Sequence, residues 1–149
     1  MTVYYDARDL SDVKTGVCSR NVDLKEDETN SFWAAEKKYG IIETLKKFHE
    51  ATGESVAVQG ELVGPGIQGN IYNLSETKFF VYSVWSINDQ EYVSPNYARG
   101  LFKNLEYVPV VHTMAELPEE FMSIISMAEG ESQLFKTERE GVVWKNKLS

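Results

Sequence analysis

Alternating apolar and polar residues predict several β-strands along the chain. The clearest is KFFVYSVW at residues 78–85, because β-branched and aromatic residues dominate it. In SVAVQGEL, residues 55–62, Glu61 is expected to point to the face opposite to the valines and the leucine. Further strands are predicted at residues 2–6, 15–19, 107–111 and 139–146, the first two as a hairpin.

Helices are predicted where an apolar stripe lies between capping residues. Ser31 precedes FWAAEKKY, Gly40 can end that helix, and IIETLKKFHEATG follows as a second one. Ser94, followed by a proline, begins the predicted helix SPNYARGLFKNLE, and the segment PEEFMSIISMAEG spans residues 118–130. Because hairpin-like neighbours outnumber strand–helix alternation, we expect a single α+β domain with a mostly antiparallel sheet flanked by helices.

The composition narrows the class of protein. The 149 residues are 42% hydrophobic, which suits one globular domain, and the formal charge of −8 argues against broad adhesion to nucleic acid or anionic lipid. The single cysteine, Cys18, excludes an internal disulfide and a multi-cysteine zinc site. No apolar run approaches the roughly 18 residues of a membrane span, and the first residues do not resemble a signal peptide. We therefore expect a cytoplasmic protein without a membrane partner.

One loop has a spacing that is typical of dinucleotide-binding turns. Gly64, Gly66 and Gly69 form GxGxxG within QGELVGPGIQGN, residues 59–70. That fingerprint requires a following helix, whereas the sequence here continues towards a long strand. We therefore predict a glycine-rich turn between strands, with backbone in unusual dihedral angles.

Four short segments contain the candidate functional residues that are left to interpret. They are SRN at residues 19–21, GEL at 60–62, the aromatic strand at 79–85 and EGVV at 140–143. In this order they resemble the RNA ligases of the covalent nucleotidyltransferase superfamily, most closely the RNA ligase 2 type. The resemblance covers nearly the whole chain. It implies an ATP-grasp-like nucleotidyltransferase domain as the fold.

The resemblance also implies a chemistry. In this family a lysine attacks the α-phosphorus of ATP, and the resulting lysyl-AMP passes AMP to an RNA 5′-phosphate that a 3′-hydroxyl then attacks. ATP or AMP, Mg²⁺ and, in the full-length protein, RNA ends are the implied ligands, and such a site needs positioned cations and carboxylates.

The resemblance assigns a role to each matching position. Glu61 would hydrogen-bond the ribose, Tyr82 would stack on adenine, and Arg20 would contact the nucleotide or the RNA end. Glu140 would organise the metal or its waters. Lys145, with Lys147, has the spacing of the family's KxK element for the α-phosphate, but it lies closer to EGVV than in the family pattern.

The sequence departs from the family before SRN, where a KxDG-like motif should supply the nucleophilic lysine. No such motif is present, so no catalytic residue is assigned; Lys37, in KKYG, is predicted to lie at the end of a helix. Ser83 also stands where related ligases often have aspartate.

The sequence therefore leads to one hypothesis and two alternatives. Residues 1–149 would be a partial nucleotidyltransferase domain that is truncated at both ends and inactive alone. A non-catalytic nucleotide- or protein-binding module of the same fold, and a piece of a DNA ligase or capping enzyme, are the alternatives. The oligomeric state cannot be predicted from these patterns.

Overall fold

The computed structural model describes residues 1–20, 22–27, 29–65, 67 and 75–109. The predicted helix at residues 118–130 and the predicted strand at 139–146, with Glu140 and Lys145, lie outside the described residues. The elements are, in chain order, β1 (Thr2–Asp6), β2 (Lys14–Cys18), β3 (Asp23–Leu24), α1 (Ser31–Tyr39), α2 (Ile41–Thr52), β4 (Val56–Val63), β5 (Lys78–Ser86), β6 (Glu91–Tyr92), α3 (Pro95–Ala98) and β7 (Glu106–Tyr107).

The strands form one sheet in the order β3-β2-β1-β4-β5-β6, and β7 pairs with β5. The pair β5–β7 is parallel, and the other pairs between described strands are antiparallel. The α+β class and the mostly antiparallel sheet are therefore confirmed. The first two strands form the predicted hairpin, and β1 lies between β2 and β4, which places residues distant in sequence side by side.

The hydrophobic core lies between one face of the sheet and the helices. Val3 on β1 and Val58 on β4 are fully buried together with Ile41 and Leu45 of α2. Alternate residues of these strands therefore point away from the core, to the opposite face of the sheet. Among the helices that the structure describes, none is long and apolar enough to cross a membrane.

Two helix predictions need correction. Asn30, rather than Ser31, caps α1, because its side-chain oxygen accepts hydrogen bonds from the amides of Phe32 and Trp33 at 2.9 and 3.4 Å. The predicted helix from Ser94 spans only Pro95–Ala98, and the Ser94 side chain makes no capping hydrogen bond. Tight turns with i to i−3 hydrogen bonds replace its continuation.

Candidate functional site

Strand β4 presents Glu61 on the face opposite to the core, as its alternation predicts. Val58 and Leu62 belong to the core, so the side chains of Gln59 and Glu61 lie on the other face. Between them, Gly60 faces the core, and a Cβ atom there would lie 2.4 Å from the Phe79 ring. The glycine thus allows Phe79 to pack directly beneath the stretch of strand that carries Glu61.

Strand β5 contains an irregularity that brings two consecutive side chains to this same face. Gln59 pairs with Ser83 but Gly60 pairs with Val81, so Tyr82 is an extra residue opposite the regular strand β4. The core residues of β5 are Phe79 and Val81 before this point and Val84 after it, which is the change of phase expected of a β-bulge. Tyr82 is consequently 43% exposed although it lies in the middle of a buried strand.

Arg20 borders the same region from the turn that follows β2, on the other side of β1 from β4. It lies in the turn between β2 and β3, and the Ser19 amide closes this turn by donating to the Val22 carbonyl at 2.9 Å. Across the sheet the backbone pairs Cys18 with Thr2 and Thr2 with Gln59. Cys18, Thr2 and Gln59 therefore lie side by side, in a row that leads from the strand before Arg20 to the strand that carries Glu61.

These residues line one cleft of about 810 Å³, within the range of about 300–1,000 Å³ that is typical of small-molecule sites. Arg20, Glu61 and Tyr82 all border it, as do Gln59 and Tyr92. Three of the residues predicted from the sequence thus lie together around one space.

The charged side chains of the described cleft lining are one cation and one carboxylate. Among the described lining residues, Arg20 is the basic side chain and Glu61 the acidic one. Burial raises the pKa of Tyr82, and the nearby Tyr92 and Glu61 raise it further, so the phenol is neutral at physiological pH. A neutral aromatic ring beside a hydrogen-bond acceptor and a guanidinium can hold a base, a sugar and a phosphate respectively.

The described part of the glycine-rich loop, residues 64–65 and 67, has features of the turn predicted from its context. Gly64 has φ 133°, a conformation that side chains rarely adopt, and the Ile67 amide donates to the Gly64 carbonyl at 3.1 Å. Gly66 and Gly69 lie outside the described residues.

Comparison with known protein families identifies the family to which the chain belongs. The sequence model of the RNA ligase family matches residues 1–149. The chain belongs to the RNA ligase family. A comparison with curated proteins gave no match.

Solved RNA ligases also share the fold. A variant of the Naegleria gruberi RNA ligase with AMP and Mn is 30% identical, with a TM-score of 0.82 over 94% of this chain and 41% of that one. A second variant with ATP and Mn is 31% identical, with a TM-score of 0.82 and the same coverage. The ligase with PPi gives 30% identity and a TM-score of 0.81, again over 94% and 41%. This member of the RNA ligase family therefore spans about two fifths of the length of these solved ligases.

The resemblance to RNA ligases implies a nucleophilic lysine, and no lysine is among the described residues that line the cleft. Lys37 lies in the last turn of α1, where its ammonium is 3.4 Å from the Glu26 carboxylate, and it does not border the cleft. The structure thus confirms that KKYG is a helix end. It does not provide a nucleophile within the described part of the cleft.

Two of the solved ligases contain Mn, so the cleft is also compared with a metal site. Within the described residues, no three histidine, cysteine, aspartate or glutamate side chains come together in a group that could hold a metal ion. Glu61 by itself does not make such a site. Glu140, the residue predicted to organise the metal, and Lys145 lie outside the described residues, so their roles stay predictions.

Gln59 and Tyr92 are among the lining residues to which the sequence assigned no role. Gln59 lies two residues before Glu61 on the same strand, so alternation alone places it on the same face. Tyr92 lies on a strand of two residues, which is too short for alternation to reveal its orientation.

Proposed function

We propose that this chain is the nucleotide-binding part of the adenylyltransferase domain of an ATP-dependent RNA ligase, and that ATP or AMP occupies the cleft. One observation carries the proposal: Arg20, Glu61 and Tyr82, distant in sequence, border the same space. The solved Naegleria gruberi ligases with ATP and with AMP, at about 30% identity over 94% of this chain, support it.

Each of these three residues has a role that its chemistry suits. The Glu61 carboxylate, which can only accept hydrogen bonds when ionised, would accept them from the ribose hydroxyls. The exposed ring of Tyr82 would stack on adenine, an interaction worth about 1–3 kcal/mol. Arg20 would contact the phosphates or the RNA end, because its guanidinium presents a planar fork of donors.

The complete reaction requires more than the described cleft contains. In the proposal, a longer protein supplies the lysine that forms lysyl-AMP and joins an RNA 5′-phosphate to a 3′-hydroxyl, and residues 1–149 are a partial domain that is inactive alone. Glu140 would organise magnesium and Lys145 would contact the nucleotide. We place the protein in the cytoplasm, in keeping with its single cysteine.

Nucleotide binding to the 149-residue chain tests the first part of the proposal. Titration calorimetry with ATP should show binding that Tyr82→Ala weakens about 5- to 150-fold, the equivalent of about 1–3 kcal/mol. Glu61→Ala should weaken ATP more than it weakens adenine, which has no ribose. Tyr97→Ala is the matched control, since Tyr97 is 63% exposed and does not border the cleft. ATP binding that is unaffected by both cleft substitutions would contradict the proposal.

Incubation with α-labelled ATP and magnesium tests the second part. We expect no covalent AMP on this chain, because no lysine borders the described cleft. A labelled adduct that disappears in Lys37→Ala would show that the chain carries its own nucleophile, and the partial-domain proposal would then be wrong.

A non-catalytic binding module is the second candidate. It is favoured by the make-up of the described cleft lining, which has an aromatic ring, a carboxylate and a guanidinium but no lysine. The coding sequence directly upstream separates the two candidates. In-frame codons for a KxDG motif would support the ligase domain, whereas a stop codon there, together with RNA binding that survives Glu61→Ala and Tyr82→Ala, would support the module.

A further inference from the structure

Tyr92 lies beside the proposed nucleotide cleft on the short strand β6. The backbone pairs it with Trp85 of β5, and the two rings meet edge to face with centroids 4.8 Å apart. Tyr92 is 51% exposed, borders the cleft, and its hydroxyl has no hydrogen-bond partner among the described residues. The ring is thus held by Trp85 while its polar end stays available to a ligand.

The order of strands places Tyr92 at one end of the cleft. Arg20 follows β2, Glu61 lies on β4, Tyr82 on β5 and Tyr92 on β6, and these strands follow one another in that direction across the sheet, with β1 between β2 and β4. β6 pairs with the end of β5, at Trp85 and Ser86, whereas β7 pairs with β5 at Phe80 and Val81. Tyr92 is therefore displaced from Tyr82 along β5 as well as across the sheet, and both displacements lead away from Glu61, which pairs with Phe80.

A nucleotide has a matching order of parts: phosphate, ribose, base. If the phosphate lies near Arg20, the ribose near Glu61 and the base on Tyr82, Tyr92 lies on the side of the base that is farthest from the ribose, because it is farther from Glu61 than Tyr82 is. In adenine this edge carries the amino group at C6. The Tyr92 hydroxyl has lone pairs that can accept a hydrogen bond from that amino group.

The charge of the adjacent residue does not interfere with this arrangement. Glu91 pairs with the buried Ser86, so its side chain belongs to the face opposite to that of Tyr92. It borders a second cleft of about 570 Å³, which Tyr92 also borders but Glu61 and Tyr82 do not.

We propose that Tyr92 is a specificity-determining residue of the cleft and that its hydroxyl accepts a hydrogen bond from the C6 amino group of adenine. This inference rests on the proposed binding of adenine nucleotide. Trp85 acts as the positioning residue, because its ring fixes the orientation of the tyrosine.

The test compares two nucleotides that differ only at this edge of the base. ATP and purine ribonucleoside triphosphate, which has hydrogen in place of the amino group, are titrated into the 149-residue chain and its Tyr92→Phe variant. Tyr97→Phe is the matched control, because it removes the same hydroxyl from a tyrosine outside the cleft. We expect Tyr92→Phe to weaken ATP about two- to tenfold, the worth of one hydrogen bond, and to leave the analogue unchanged.

The outcomes separate this inference from the proposed function. If Tyr92→Phe weakens ATP no more than Tyr97→Phe does, or weakens both nucleotides alike, the contact with the amino group is wrong while nucleotide binding still stands. A merely structural role would give the second pattern, because repacking against Trp85 affects any nucleotide. If the unmodified chain binds neither nucleotide, the proposed function fails and the inference fails with it.

Discussion

Substitution of Gly60 by alanine tests how the sheet supports the cleft. A Cβ atom at residue 60 would lie 2.4 Å from the ring of Phe79 and 2.5 Å from the carbonyl oxygen of Phe80. Phe79 is 1% exposed and packed in the core, and the carbonyl belongs to the neighbouring strand, so neither neighbour can move without disturbing the sheet. Overpacking of this kind destabilises a protein by about 1–3 kcal/mol.

We expect Gly60→Ala to reach the upper part of that range, because a backbone atom is among the clashing partners. For a domain of this size, each 1 kcal/mol lowers Tm by roughly 2–4 °C, so the midpoint should fall by about 4–12 °C. Since Gly60 adjoins Glu61 and lies opposite the bulge at Tyr82, ATP binding should weaken as well. Thermal and urea unfolding followed by circular dichroism measure the first effect, and calorimetric titration measures the second.

Gly100→Ala is the matched control for this experiment. Its added Cβ would meet its nearest neighbour, the Tyr97 carbonyl oxygen, at 3.7 Å, an ordinary contact distance. The control should therefore change the unfolding free energy by less than about 0.5 kcal/mol. If Gly60→Ala proves as stable as Gly100→Ala, the close packing of Phe79 beneath β4 is wrong.

Two further predictions concern stability. Ser55→Ala should lower the unfolding free energy by about 1–3 kcal/mol in urea titrations, because the buried Ser55 hydroxyl accepts a hydrogen bond from the Ala7 amide at 2.9 Å and its loss leaves that amide unpaired. Ser31 is exposed, so Ser31→Ala should have little effect on the unfolding free energy. Equal losses in the two variants would refute the reasoning. Hydrogen bonds from Arg8 hold the pKa of Asp6 below its ordinary value of 3.8. The ionised Asp6 therefore stabilises the folded chain above pH 3.8, and this contribution is lost as the pH falls through the lower pKa of the folded state. Unfolding free energies measured from about pH 5 to about pH 2 should therefore decline less steeply in Asp6→Asn, and an unchanged slope would contradict this.

The sequence patterns predicted those features of the helices and strands that neighbouring residues determine. Glycines at both ends set the limits of α2, since Gly40 and Gly53 adopt left-handed backbone conformations that end or begin helices there. Alternation likewise placed Glu61 on the correct face of β4. These features follow from the chemistry of a few neighbouring residues, so the sequence alone contains them.

The features that the patterns missed depend on contacts between distant segments. The bulge at Tyr82 arises from pairing with β4, and a period of two along one strand cannot indicate it. The helix after Ser94 ends at Ala98, and farther on the Phe102 amide donates to the Tyr107 hydroxyl at 3.2 Å, a partner from the following strand that the local pattern does not indicate.

The meeting of Arg20 with Tyr82 also depends on the order of strands in the sheet. Because β1 lies between β2 and β4, residues far apart in sequence come to border one cleft. Composition and spacing contain no record of that order, and it was the resemblance to the RNA ligases that grouped these residues before the structure did.

The central claim is that adenine nucleotide binds in the cleft between Arg20 and Tyr82, and NMR titration of the ¹⁵N-labelled chain with AMP tests it most directly. The account predicts that amide shifts concentrate at residues 59–61, 82–83 and 92, which border the cleft, and spare residues 97–101. Shifts centred on the second cleft, or no shifts at saturating AMP, would contradict it.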